Sequence, residues 1–166
     1  MRRRKELKLT ITAATGRASV IYLRNKLRAA HRILPTQLRE LSIALVSDSQ
    51  MSRLHHQFLN IAGPTDVLTF PLETDGRNKP ISGEVVVCVP EARRRAKELK
   101  TDVRRELLLY ALHGMLHLSG FDDRTARQYH RMHRMEDAIL RRIGVGPVFS
   151  PAATPDTVRR PKGRRT

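Results

Sequence analysis

Three observations predict an α+β fold: a mixed β-sheet packed with helices, around one central buried helix that carries two histidines. Residues 84–89, EVVVCV, form a valine-rich run preceded by turn residues, the pattern of a buried strand. Residues 103–118, VRRELLLYALHGMLHL, are apolar nearly all round, and a helix with no polar face is enclosed by its neighbours. Strand-like and helix-like segments interleave irregularly, which suits a mixed sheet better than a strict βαβ repeat.

The elements follow in order. Residues 8–12, KLTIT, alternate polar and apolar side chains and predict a strand. Val20, Leu23, Leu27 and Ala30 share one helical face, so a helix runs from about Gly16 into the thirties and stops at Pro35. LSIALVS, 41–47, is a second strand, and Ser47 or Asp48 caps the helix SQMSRLHHQFL. A Gly-Pro turn leads into a short strand ending at Pro71, and residues 73–83, ETDGRNKPISG, are expected to be a polar loop. After EVVVCV, Pro90 occupies the first turn of the helix PEARRRAKEL. Thr101 or Asp102 caps the central helix, and Gly120 is placed to end it. A last helix from Arg124 runs to Gly144. The predicted organisation is a basic N-terminal tail (1–7), one folded domain (8–144) and a disordered basic C-terminal tail (145–166).

Composition narrows the partners. Among 166 residues, Lys and Arg outnumber Asp and Glu by 32 to 16, a formal net charge of +16. Residues 1–8 and 144–166 carry +4 each, leaving +8 on the body. Such a field favours polyanions, nucleic acid first among them. The one cysteine, Cys88, lies in an apolar run; it cannot form an intramolecular disulfide and suits a reducing compartment, so a cytoplasmic protein is expected. No apolar run reaches the ~18 residues of a membrane helix, and no membrane partner is expected. Tryptophan is absent and aromatics are 4% of the chain, which argues against an aromatic platform for stacking RNA bases.

The chemistry is concentrated in HGMLHLSGFDD, residues 113–123. His113 and His117, four apart on a helix, project from one face about a turn from each other. Two imidazoles so held can share a divalent ion. Gly120 permits a sharp turn that swings Asp122 or Asp123 back over them. Two histidines and a carboxylate leave a position for water, the open arrangement of a catalytic zinc site. Burial strengthens the case, since an imidazole with no partner is costly inside a protein. Metzincin proteases share the His-x-x-x-His-x-x-Gly-x-x spacing but need a glutamate after the first histidine. Gly114 stands there, so a peptidase of that kind is disfavoured.

Here the sequence resembles the YbeY endoribonucleases, bacterial rRNA maturation factors with the signature HGxLHLxGxDH. PTDVLTFP, from Pro64 to Pro71, is similar to a second family stretch, with Thr69 for serine, and GEVVV from Gly83 to a third. Met135 and Glu136 match the family's Met and Glu in the last helix. The resemblance implies an α+β fold, one zinc ion (or another divalent metal) held by His113, His117 and Asp123, and a metal-held water at His113 as nucleophile. It further implies cleavage of single-stranded RNA in 16S rRNA maturation and ribosome biogenesis, with rRNA and ribosomal particles as partners. Two departures stand out. Asp123 replaces the family's third histidine, which adds negative charge and weakens the ion as a Lewis acid. Leu59, counted from Leu54, replaces an arginine whose cation would steady the phosphate.

The other candidates read more plainly. His130 and His133 are expected at the surface, Thr65 and Asp66 to cap a turn, and at most one of His55 and His56 to reach the site. Glu84 offers a contact to a ligand histidine. Arg93, Arg94 and Arg104 are expected to contact RNA phosphates. The rivals to a metal-dependent endoribonuclease are an rRNA-binding assembly factor with a structural metal, favoured by Leu59, and a hydrolase of a non-nucleic substrate, disfavoured by the charge.

Overall fold

Alternating strand segments and an all-apolar helix must bury their faces against one another, and the computed structural model, which describes residues 5–146, shows how they do so. The strands are β1 (Lys8–Ala13), β2 (Glu40–Val46), β3 (Val67–Thr74) and β4 (Pro80–Cys88). They form one four-stranded sheet in the order β1-β2-β4-β3. β1, β2 and β4 are parallel, with Ile11 opposite Ile43 and Ile43 opposite Val85. β3 is antiparallel to β4, with Val67 opposite Val87. The helices are α1 (Val20–Ile33), α2 (Asp48–Leu59), α3 (Val89–Leu99), α4 (Val103–Leu118) and α5 (Ala126–Arg142), with a 3-10 turn at Arg17–Ser19. The fold is α+β, as the sequence predicts. The two predicted tails lie outside the described residues except for 5–7 and 145–146, and of these Leu7 is buried in the core.

Successive strand residues face opposite ways, and this divides the interior. Ile43, Leu45, Val85 and Val87 join the leucines of α1 and α4 in the main core. Val46, Leu68, Val86 and Cys88 face the other way and pack with Met51 of α2 in a smaller cluster. α4 is buried along nearly its whole length. Its N-cap is Asp102, whose carboxylate accepts from the Arg104 backbone N–H at 2.8 Å. At its other end Gly120 has φ of 98°. There the Gly120 N–H donates to the His117 carbonyl and the Phe121 N–H to the Leu116 carbonyl. This pair of bonds needs a left-handed residue at that point, a conformation glycine adopts without strain.

One expectation is corrected. β3 does not stop at Pro71, and residues 73–83 are not a loop: β3 continues to Thr74 and β4 starts at Pro80. The hairpin turns at Asp75, whose carboxylate accepts from the Arg77 and Lys79 backbone N–H groups at 2.8 and 3.0 Å. Pro71 is tolerated because β3 is an edge strand, where a missing N–H costs no ladder bond, and the pairing shifts register just after it. Residues 71–74 are all exposed, so no alternation of apolar side chains marked them as strand.

α4 crosses the sheet at Gly114. A Cβ there would lie 2.6 Å from a Val85 methyl and 2.9 Å from the Thr69 hydroxyl. Gly114→Ala is therefore expected to lower stability by about 1–3 kcal/mol through overpacking, read as a lower midpoint in urea at unchanged slope. The same contacts mean that a glutamate at 114, as in metzincins, would point into the sheet and away from any ion.

Candidate metal centre

His113 and His117 lie one turn apart near the C-terminal end of α4, and the glycine turn at 120 returns the chain across them. The Nε2 atoms of the two histidines are 3.1 Å apart. One Asp123 carboxylate oxygen lies 3.4 Å from His113 Nε2 and 3.6 Å from His117 Nε2. Four ligands about 2.05 Å from a tetrahedral zinc are separated by about 1.63 times that length, or about 3.3 Å. The three observed separations bracket this value. This donor set fits a divalent ion, and its three ligand atoms all lie within 4.8 Å of one another. Asp122 does not join them. Its carboxylate accepts from the Asp123 backbone N–H at 2.8 Å and pairs with Arg124 at 3.1 Å.

Behind His113 stands a group to which the sequence reading assigned no role. Glu136 of α5 is completely buried. Its carboxylate accepts from His113 Nδ1 at 2.6 Å through one oxygen and from His133 Nδ1 at 2.8 Å through the other. Burial pushes this carboxyl upward, but its interactions with His113 and His133 outweigh that and hold it well below the usual carboxylate range. An ionised carboxylate can only accept, so His113 must carry its proton on Nδ1. Its Nε2 lone pair is then turned toward His117 and Asp123. A carboxylate behind a ligand histidine fixes the ring and raises its basicity.

The other predicted residues fall as follows. Glu84 is on the sheet face away from α4, since Val85 beside it faces the main core and Val86 the smaller cluster. Glu136 instead makes the contact that Glu84 was expected to offer. His133 is buried against Tyr129, with ring centroids 4.0 Å apart, and is not a surface histidine; His130 is exposed. His55 is buried on α2 and engages the Gly63 carbonyl at 2.8 Å, while His56 is exposed. The Thr65 hydroxyl donates to the Asp66 carboxylate, which also accepts from the Val67 N–H. Leu59 ends α2 and packs with the smaller apolar cluster. Arg93 is exposed. The Arg94 guanidinium donates to both Asp48 carboxylate oxygens at 2.8 Å and also reaches Glu91. Arg104 pairs with Asp102 at 2.9 Å and lies over the Tyr22 ring. Burial pushes the Cys88 thiol up to about 12, which makes it a poor nucleophile.

A signal for Glu136 was present in the sequence. Met132, Glu136, Ile139 and Leu140 recur at helical spacing, so a glutamate falls on the buried stripe of an otherwise polar helix. A buried acid needs a partner, and the histidine three residues before it is one.

The chain is similar to known proteins over most of its length. The family model described as Endoribonuclease YbeY matches residues 6–144. The match begins well before the motifs and takes in β1 and α1. A Moorella thermoacetica protein named Endoribonuclease YbeY is 36% identical over 115 residues, which are 64% of this chain and 74% of that protein. A protein of the same name from Desulfitobacterium hafniense is 30% identical over 126 residues, 71% of this chain and 80% of its own length. A solution structure from Thermotoga maritima superposes with a TM-score of 0.57 at 26% identity, covering 81% of this chain and 90% of that one.

Proposed function

This chain belongs to the Endoribonuclease YbeY family, and from that premise we propose that it is a zinc-dependent endoribonuclease that cuts single-stranded RNA. The reading extends to 16S rRNA maturation in the cytoplasm, with rRNA and ribosomal particles as partners. The observation that carries it is the triangle of His113, His117 and Asp123 donors at tetrahedral spacing. The net charge of +16 supports a polyanionic substrate. No helix among the described residues is long and apolar enough to cross a membrane.

An ion held by His113, His117 and Asp123 would supply a Lewis acid and a water acidic enough to attack a phosphodiester near neutral pH. The protein's own groups prepare that site. Glu136 fixes the His113 ring with Nε2 forward. The turn through Gly120 delivers Asp123, and its carboxylate brings a negative charge that a histidine there would not. Asp122 steadies the turn by accepting the Asp123 N–H. Leu59 presents no cation to the phosphate.

The direct test is a single-stranded RNA oligonucleotide with purified protein. Cleavage is expected, to be abolished by a chelator and restored by added zinc. Undiminished cleavage by the chelated protein would overturn the metal mechanism. Leu59 favours a second reading, an rRNA-binding assembly factor that cleaves little. Leu59→Arg is expected to raise the cleavage rate at least about tenfold, because a positioned cation stabilises charge on the phosphate. RNA binding with no cleavage by either protein would establish the assembly-factor reading instead.

A further inference from the structure

The arginines of this chain are not equally available. Arg94, Arg95 and Arg104 are each committed to a carboxylate. Arg127, Arg131, Arg134 and Arg141 of α5 are exposed, and among the described residues no ion pair engages them. Their spacing of four, three and seven residues puts them on one helical face. The opposite face carries Met132, His133, Glu136, Ile139 and Leu140, all buried. The stripe spans about 21 Å at a rise of about 1.5 Å per residue.

Its position ties it to the metal centre. α5 begins three residues after Asp123, and its buried side holds Glu136 against His113. The Arg131 guanidinium lies 5.2 Å from the Phe121 ring centre, so it sits on the same turn that carries Asp123. We propose that the outer face of α5 is a track for the phosphodiester backbone of the RNA that is engaged at the metal centre. The proposal rests on the reading that the substrate is RNA. Guanidiniums one or two turns apart on a single face follow the run of charges along a single strand, and guanidinium is the cation whose fork suits phosphate oxygens. The contact is to backbone only, so it lengthens the footprint and adds no sequence preference.

The test compares the wild type with a combined Arg127→Gln, Arg131→Gln, Arg134→Gln, Arg141→Gln variant and with an Arg95→Gln, Arg104→Gln control. Binding of an unstructured 20-nucleotide RNA is measured by anisotropy between 50 and 200 mM salt. Single-strand contacts release about 0.7 counterion each, so the four substitutions are expected to reduce the logarithmic salt slope by about 3. The control pair is expected to change it far less, because its charges are already neutralised. Metal content of the combined variant should stay at the wild-type level, which shows that α5 still seats Glu136. An unchanged slope in the combined variant, or an equal loss in the control, overturns the track. If the slope falls as expected while even the wild type cleaves nothing, the track stands and the nuclease reading falls. If the wild type cleaves and the combined variant keeps its slope, the nuclease reading stands and the track falls.

Discussion

Alanine at His113 or at His117 is expected to leave the protein without its metal and to lower RNA cleavage about a thousandfold or more, since the activated water and the Lewis acid go together. Elemental analysis and single-turnover cleavage measure the two losses. His113 is hydrogen-bonded to the fully buried Glu136, and removing one partner of a buried charge costs about 3–5 kcal/mol. His113→Ala should therefore destabilise the metal-free protein as well as empty the site, read as a lower midpoint in thermal melts of the apoprotein. Asp123→Asn is expected to weaken metal binding more than Asp122→Asn, and Asp123→His to preserve it. Full metal content in both alanine variants would mean that the ion is held elsewhere.

Glu136→Gln should weaken metal binding by about 10–100-fold, the range for loss of a carboxylate behind a ligand histidine. The amide has one acceptor oxygen where the carboxylate offers two, and His113 and His133 both need to donate. One of them must turn or change tautomer. If it is His113, its Nε2 gains a proton and no longer faces the ion with a lone pair. A competitive zinc titration measures the affinity, and thermal melts of the metal-free protein show whether the fold has suffered independently. Metal affinity at the wild-type level would show that His113 is oriented by its packing alone.

The residue pattern by itself determined the fold class, the central helix and the two histidines on one of its faces. These follow from periodicity: apolar side chains all round a helix demand enclosure, and residues four apart project together whatever surrounds them. Gly120 as the helix stop was legible for a similar reason, because a left-handed position announces itself by the residue without a Cβ. Residues 73–83 differ from the expected loop because an exposed edge hairpin has no buried face to impose alternation, and Pro71, which lacks an N–H, is accommodated where an edge strand makes no ladder bond.

What the tertiary structure alone decided concerns partners distant in sequence. Of two adjacent aspartates, the fold turns Asp123 to the histidines and Asp122 to Arg124. Glu84 was expected to support the site and lies on the wrong face of the sheet, while Glu136 and His133, far along the chain, close behind His113. Arg94 and Arg104 each meet a carboxylate that no sequence spacing announces, while Arg93 and the four arginines on the outer face of α5 are exposed. An ion pair or a hydrogen bond depends on which side chains the packing brings within about 3 Å. A one-dimensional pattern records faces and spacings; it does not record which face meets which.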